Sequence, residues 1–149
     1  MLPIIKDNYV FKKMFGSKGS EHITMSFLQS FLDIPEDEYD SINFVDSDPG
    51  IVALKLKTTR GKTINVRMQI IPNEEAYNEV FLELNNMIIN QSLSPEKLIV
   101  IMILDYIMYP DDNELSHRGT LFDRMNNHSY QDNIEIYTLE PGKTRDLSF

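Results

Sequence analysis

The 149-residue sequence contains no cysteine. This absence excludes disulfides and thiolate metal sites, and it weakly favours a reducing compartment. The longest apolar run, Leu98 to Leu104, is far shorter than the roughly 20 residues that span a bilayer. The N-terminus lacks an apolar segment followed by a small-residue cleavage site, so no signal peptide is predicted. We therefore expect a cytoplasmic protein that has no membrane partner.

Positive charge is also scarce. The chain has 14 Lys and Arg residues against 23 Asp and Glu residues, which gives a net charge of -9. Proteins that bind DNA phosphates normally carry a basic surface, because Lys and Arg displace counterions from the nucleic acid. The balance argues against a dedicated duplex-binding module, although a bound metal or a local basic patch can offset global charge. Without internal repeats or low-complexity segments, the length predicts one domain over residues 1–149.

Two alternating strands joined by a turn are the most informative feature that is present, between Ile51 and Ile71. Apolar residues alternate with small or polar ones on both sides of Arg60-Gly61, which is typical of a β-hairpin. The face opposite the apolar residues carries Ala53, Lys55 and Lys57 on the first strand, and Thr63, Asn65, Arg67 and Gln69 on the second. Since neighbouring strands lie about 5 Å apart, side chains on this face can converge on one ligand.

The rest of the chain predicts helices and strands in an order typical of an α/β domain. Before the hairpin we expect a helix capped by Asp7 or Asn8 that ends at a Gly16 C′ residue, a helix from Ser20 to about Leu32 and a strand at Ile42–Val45. After the hairpin we expect a helix from an Asn73 N-cap to Gln91 and a fully buried strand at Leu98–Ile107. Two further strands are predicted at Arg118–Arg124 and Ile134–Glu140. This order implies a mixed sheet flanked by helices.

Five segments in this order carry a family resemblance: IIKDNYVFKKMFG, MSFLQSFLDI, LKLKTTRGKTINVRMQ, ILDYIMYPD and IEIYTLE. Together they resemble the PD-(D/E)XK nuclease family transposases, also called the recombination-promoting nuclease (Rpn) family. The resemblance implies a restriction-endonuclease-like fold and Mg²⁺-dependent cleavage of DNA. It also implies a homodimer, and a C-terminal helical extension that this chain is expected to lack.

The same resemblance points to three site positions. In the family, one carboxylate ends the first hairpin strand, and a second lies on the next strand, two residues before Lys or Gln. The two carboxylates hold Mg²⁺, which activates a water and stabilises charge on the attacked phosphate. Carried over residue by residue, these positions are Ala53, Arg67 and Gln69. Alanine offers no ligand and a guanidinium repels a metal, so a lost metal site is predicted, with no cofactor unless the carboxylates have migrated.

Arg67 has two possible roles. It either grips phosphate together with Lys55 and Lys57, which would make the three residues a nucleic-acid-binding surface. Alternatively, it pairs with an acidic neighbour such as Glu79 or Glu83, which is the interpretation we favour.

The other candidate residues also have a structural alternative. Asp7 is either a residual metal ligand or a helix cap, and Gln69 makes either a retained catalytic-site hydrogen bond or a structural one. The structural role is favoured for both. Asp105 attracts attention because it lies in an apolar strand, near its end, and we expect solvation or a backbone partner for it. His117 and His128 lack metal-ligand spacing, so we expect solvent-facing loops. The cluster Asp111, Asp112 and Glu114 either holds a cation weakly or forms a solvated acidic turn, which is the interpretation we favour.

Three functions remain open. The first is a degenerate family member, persisting as a binding or regulatory domain or as a remnant of a mobile element. The second is a working endonuclease whose metal site has migrated, with ligands among Asp7, Asp46, Asp48 and Glu83. The third is an interaction protein that uses its acidic surface to imitate nucleic acid or to occupy a basic partner.

Overall fold

A computed structural model describes residues 8–30, 32, 38–48, 50–89, 96–120, 122–123, 128–129 and 134–143. Its elements are α1 (Asn8–Phe15), α2 (Glu21–Gln29), β1 (Tyr39–Val45), β2 (Ile51–Thr58), β3 (Thr63–Ile71), α3 (Glu74–Ile89), β4 (Lys97–Leu104), β5 (Ser116–Thr120), β6 (Phe122–Asp123), β7 (His128–Ser129) and β8 (Ile134–Leu139). Six strands form one mixed sheet in the order β1-β2-β3-β4-β8-β5, and β6 pairs with β7 separately. The predicted α/β sheet flanked by helices, a restriction-endonuclease-like fold, is confirmed.

The hairpin of β2 and β3 forms as predicted. The two strands pair antiparallel from Ile51 opposite Gln69 to Lys57 opposite Thr63. At the turn, Gly61 has a φ of 81°, a left-handed conformation that costs glycine little. The Thr58 side-chain hydroxyl accepts a hydrogen bond from the Lys62 amide at 3.1 Å, which closes the turn.

Helix α3 provides the crossover between two parallel strands. Asn73 caps it as predicted, because its Oδ1 accepts a hydrogen bond from the Ala76 amide at 2.9 Å. Strand β4 then pairs parallel with β3 on one side and with β8 on the other. Parallel pairing requires such a crossover connection. Strand β4 is paired on both edges and covered on both faces, which explains why its sequence is a continuous apolar run.

The sheet separates two apolar clusters. Helices α1 and α2 cover one face with Phe11, Phe15 and Leu28 packed against β2, β3 and β4. Helix α3 covers the other face, where Val80 and Leu84 pack against β4 and β8. One set of alternate side chains on β2 and β3 belongs to the α1–α2 cluster. Ala53, Arg67 and Gln69 belong to the other set, on the α3 face, where Arg67 contacts Glu83.

Several predicted boundaries were wrong. Helix α2 ends at Gln29 rather than near Leu32, although the Leu32 amide still donates to the Leu28 carbonyl at 2.8 Å, and the Ser30 hydroxyl donates to the Phe27 carbonyl at 2.6 Å. Strand β4 ends at Leu104 rather than Ile107, because Leu104 pairs with the last residue of β3. Strand β5 covers Ser116–Thr120 instead of Arg118–Arg124, since its partner residues on β8 run from Leu139 to Glu135.

Gly16 ends α1, but for a different reason from the predicted one. It does not adopt the left-handed conformation expected at a C′ position, which Gly19, Gly50 and Gly61 adopt. A Cβ atom at Gly16 would lie 3.0 Å from the Lys12 carbonyl oxygen and 3.0 Å from Val52 Cγ2. Glycine is therefore needed here because α1 approaches β2 closely.

Edge strand β5 is held by a buried carboxylate. Glu135 of β8 is 4% exposed and forms ion pairs with Arg118 of β5 and with Lys97 of β4, the latter at 3.0 Å. Both cations keep contact with solvent, at 53% and 33% side-chain exposure. Within the part of the chain that the structure describes, no helix is long and apolar enough to cross a membrane.

Candidate functional site

Ala53 and Arg67, the two positions predicted to correspond to the family's carboxylates and called the motif positions below, lie on one face of the hairpin. Ala53 of β2 lies directly opposite Arg67 of β3 in the antiparallel register, and opposite Val45 of β1 on its other side. Side chains at such paired positions have Cβ atoms about 4.5–5.5 Å apart. Carboxylates at these two positions would thus be close enough to share a divalent ion, but the residues present are a methyl group and a guanidinium.

Arg67 forms an ion pair across the gap to α3. Its Nη1 donates to Glu83 Oε1 at 2.8 Å and its Nη2 donates to Glu83 Oε2 at 3.3 Å. The Arg67 hydrogen bond lowers the pKa of Glu83, against a smaller opposing effect of partial burial. Of the two roles considered for Arg67, the pairing with Glu83 is confirmed.

Gln69 lies two residues further along the same face of β3, opposite Ile51. Its Oε1 is buried and has no hydrogen-bond partner in the described part of the chain, and the same holds for Arg67 Nε. The structural bond predicted for Gln69 is therefore not made by this atom. One unused acceptor and one unused donor thus lie two residues apart on the same face of β3.

This donor set does not fit Mg²⁺. A magnesium site requires anionic oxygen ligands, whereas Ala53 supplies none, Gln69 supplies one neutral oxygen and Arg67 supplies a cation. The nearby Glu83 carboxylate already binds Arg67 through both oxygens. Asp46 is exposed in the β1–β2 loop, and the described residues contain no group of three or more His, Asp or Glu side chains arranged to hold a metal.

Two candidate ligands of a migrated site have a separate outcome. Asp7 lies outside the described residues, so neither its capping role nor its ligand role is tested. Asp48 is exposed, and its backbone carbonyl accepts hydrogen bonds from Lys12 Nζ at 3.3 Å and from the Ile51 amide at 3.1 Å.

Lys12 is a basic residue of this region that the sequence did not single out. From α1 its Nζ donates to the Ser47 carbonyl at 3.0 Å and to Ser47 Oγ at 3.2 Å. These bonds fix the loop that precedes β2 and place a positive charge near the first residues of β2. Its position in the Phe-Lys-Lys segment of α1 was the available signal.

Lys55 and Lys57 are exposed on β2 and share the face of Ala53. In the register, Lys55 lies opposite Asn65 and Asn43, and Lys57 lies opposite Thr63 and Ser41. This lysine face, defined as Lys55 and Lys57 with their paired polar neighbours, is adjacent to Arg67. The three predicted nucleic-acid-binding residues are thus on one surface, but the charge of Arg67 is shared with Glu83.

The prediction of a solvent-facing loop was wrong for His117, and Asp112, whose side chain is 40% exposed as expected of a solvated turn, has ionic partners that were not predicted. His117 lies on β5, stacks on Tyr109 with ring centroids 3.8 Å apart, and has its Nε2 2.8 Å from Asp112 Oδ2. Lys143 Nζ binds the other Asp112 oxygen at 2.7 Å. The hydrogen bonds from Lys143 and then His117 lower the pKa of Asp112 to about 2. These partners are up to 31 residues apart, a separation that local spacing does not reveal.

The anchor of this cluster is Glu140, which is completely buried. Its Oε2 accepts hydrogen bonds from the Met108 and Tyr109 amides at 2.9 and 3.2 Å. Its Oε1 lies 3.2 Å from Lys143 Nζ and 3.4 Å from His117 Nδ1. Together Asp112, His117, Glu140 and Lys143 form an ionic cluster that ties the β4–β5 connection to the end of β8.

The remaining sequence predictions have mixed outcomes. Asp111 is exposed, as expected of a solvated acidic turn, and Glu114 is exposed although its carbonyl accepts a bond from Lys143 at 3.0 Å. Asp105 follows directly after β4, and its amide donates to the Ile71 carbonyl at 2.9 Å, so its predicted place near the strand end is confirmed. His128 belongs to strand β7 rather than to a loop, and its side chain lies outside the description.

Comparison with known proteins agrees with the topology. The family model for PD-(D/E)XK nuclease family transposases matches residues 5–147. Comparisons with curated proteins and with solved structures gave no significant match. The family match covers the hairpin with Ala53 and Arg67, the crossover helix and both central parallel strands. The chain belongs to the PD-(D/E)XK nuclease family transposases.

Proposed function

We propose that this chain is a member of its family that does not cleave DNA and that acts through binding or regulation. The observation that carries this proposal is the pairing of Ala53 with Arg67, whose guanidinium is held by Glu83. Cleavage in the usual way needs a divalent ion that activates water at this point. Here the guanidinium provides the positive charge that the ion would supply, but it cannot lower the pKa of a water as a metal does.

The proposed ligand is nucleic acid, bound weakly at the lysine face. Lys55 and Lys57 are exposed beside the motif positions and can contact successive phosphates of one strand. The overall charge of -9 opposes strong binding. We therefore expect an interaction that depends steeply on salt and shows no dependence on Mg²⁺.

The test is calorimetric titration of Mg²⁺ and Mn²⁺ into the native protein and into an Ala53→Asp/Arg67→Glu variant. The carboxylates introduced there face each other in the register, and the second lies beside Glu83, so repulsion among them is relieved by a divalent ion. We expect heat of binding for this variant and none for the native protein. Mg²⁺-dependent cleavage of DNA by the native protein, abolished by Gln69→Ala, would overturn the proposal.

A matched control separates the motif positions from added charge. Lys57→Asp/Thr63→Glu introduces the same two carboxylates at another paired position of the same face, and it leaves the hydrogen bond between Asn65 and Glu96 intact. We expect it to bind Mg²⁺ at least about tenfold more weakly than the motif variant, because neither Gln69 nor Glu83 lies beside it. Equal binding by the two variants would show that the scaffold has no preference for the family positions.

A further inference from the structure

A half-open cavity of about 80 Å³ lies on the α3 face of the sheet, between α3 and strands β8 and β5. These strands form the edge of the sheet that is opposite the β1–β2 edge. Two pairs of aromatic rings line it. Tyr77 and Phe81 of α3 have ring centroids 4.8 Å apart, and Tyr109 and His117 are stacked with centroids 3.8 Å apart. Aromatic side chains on α3, on β5 and in the β4–β5 connection favour a flat ligand, because aromatic rings stack with offset or tilted geometry.

The floor of the cavity carries a polar group without a partner. Thr138 of β8 is 4% exposed, and its Oγ1 makes no hydrogen bond within the described residues. A buried hydroxyl left unsatisfied is unfavourable, and it can both donate and accept. Thr138 is one of the residues that line the cavity, so the polar edge of a ring that displaced its neighbours enough to reach this hydroxyl would satisfy it.

The charged groups at the cavity are already paired. His117 Nε2 is bound by Asp112, and Arg118 is bound by Glu135. Burial, with a smaller effect of Tyr109, raises the pKa of Tyr77 to about 12, so its hydroxyl is neutral near pH 7. A lining with no free charge among its described residues selects a neutral ligand, since an ion would lose its hydration without gaining a counter-charge.

The size restricts the ligand to one ring. An apolar cavity of roughly 150 Å³ holds a whole benzene molecule, and this cavity of about 80 Å³ is smaller but open on one side. One six-membered ring can enter by an edge and leave its substituent outside. The fused rings of a purine would not enter to the same depth.

We infer that this cavity binds the pyrimidine base of a nucleotide, with the ring between the aromatic pairs and its polar edge on Thr138 Oγ1. Bases of single strands are recognised by stacking on aromatic side chains together with hydrogen bonds to their edges. The source of the base is either an unpaired DNA strand or a free nucleoside. The first source rests on the proposed nucleic-acid-binding function, whereas the second does not.

The test is titration of thymidine, of a ten-nucleotide thymidine oligomer and of duplex DNA, monitored by amide chemical shifts. We expect saturable shifts at Gly119 and Thr138 with thymidine and with the oligomer, and none at these residues with duplex. Tighter binding of the oligomer identifies an unpaired strand as the source, and equal binding identifies the nucleoside. The absence of saturable shifts with thymidine would overturn the inference.

Two variants alter the cavity in different ways. A Cβ at Gly119 would meet no atom within 4 Å, so Gly119→Leu begins without a clash at its Cβ and adds bulk to the cavity lining, and Thr138→Val removes the hydroxyl at nearly constant shape. Each should weaken thymidine binding by about tenfold, within the usual range for loss of one base contact. Unchanged melting temperatures verify folding, and unchanged affinity of Gly119→Leu would contradict the inference. Because thymidine carries no phosphate, this result is independent of the metal and cleavage tests.

Discussion

Arg67 and Glu83 form a bidentate ion pair between β3 and α3, with Nη1–Oε1 and Nη2–Oε2 distances of 2.8 and 3.3 Å. Arg67 is 22% exposed and Glu83 is 53% exposed, so the guanidinium is the more sheltered partner. The crossover helix α3 thus supplies the counter-charge for a cation on β3.

A double-mutant cycle on Arg67→Met and Glu83→Gln measures the energy of this ion pair. We expect a coupling free energy of about 0.5 kcal/mol at low salt, since exposed pairs of this kind contribute about 0–1 kcal/mol. The pKa of Glu83 is lowered in the folded state, so the coupling is present above the unfolded pKa of the carboxyl and is lost as the pH falls through the folded one. Urea unfolding at pH 7 and at pH 3 tests this, and an equal coupling at both would contradict it.

The hairpin and this ion pair were predictable because their signals are local. Alternation and the Arg60-Gly61 turn fix the register of β2 and β3, and that register alone places Ala53 opposite Arg67. The sequence offered Glu79 and Glu83 as acidic partners, and the structure shows that Glu83 is the one that binds Arg67. The cationic character of Arg67 and the missing oxygen ligand of Ala53 could therefore be predicted from the sequence once the family positions were assigned.

The ionic cluster at the other edge was not predictable in this way. Strand β8 inserts between β4 and β5, so β5 pairs with a strand later in the chain rather than with β4. That order brings His117 beside Glu140 and Lys143, although the sequence between them shows no spacing that indicates contact. His117 was interpreted as a solvent-facing loop residue because the sequence shows no metal-ligand spacing and no paired acid for it. In the fold it stacks on Tyr109 and lies near Glu140.

Removal of the lysine face should change the salt dependence of DNA binding. Lys55→Ala/Lys57→Ala is expected to weaken binding to single-stranded DNA and to reduce the slope of log K against log salt by about 1–2, since each phosphate contact contributes about 0.7 on a single strand. Lys13→Ala/Lys18→Ala removes the same charge from the opposite, α1–α2 side and is the control. Equal losses in the two variants would mean that only net charge matters.

The Asp112 interaction predicts a pH-dependent stability. Lys143 and His117 lower the pKa of this carboxyl from its ordinary 3.8 to about 2. A lowered folded-state pKa stabilises the protein at pH values above the unfolded pKa, and this contribution is lost as the pH falls through the folded pKa. Asp112→Asn should therefore lower the melting temperature at about pH 6 and have progressively less effect towards about pH 2.5.

The exposed neighbour Asp111 supplies the control for that measurement. Asp111→Asn removes one carboxylate from the same turn without breaking the bonds to Lys143 and His117. We expect its melting temperature to follow that of the native protein across the whole pH range. If Asp112→Asn produced the same decrease at both ends of the range, titration of Asp112 would not be its cause.

Two buried carboxylates on or next to β8 should respond differently to the same substitution. Glu140 is completely buried and binds two backbone amides and the sheltered Lys143. Glu140→Gln removes the charge that these groups require, and we expect a loss of about 2 kcal/mol in unfolding free energy. Glu135→Gln should cost about 1 kcal/mol or less, because Lys97 and Arg118 are 33% and 53% exposed and can return to water.

Chemical unfolding of the two variants by guanidinium checks this contrast. Both substitutions keep the size of the side chain, so packing cancels in the comparison, and each removes one negative charge from a protein of net charge -9. A larger loss for Glu135→Gln than for Glu140→Gln would show that exposure of the cationic partners does not decide the cost. The expected order would instead establish that the β4–β5 connection, rather than the edge strand alone, depends on a buried charge for its stability.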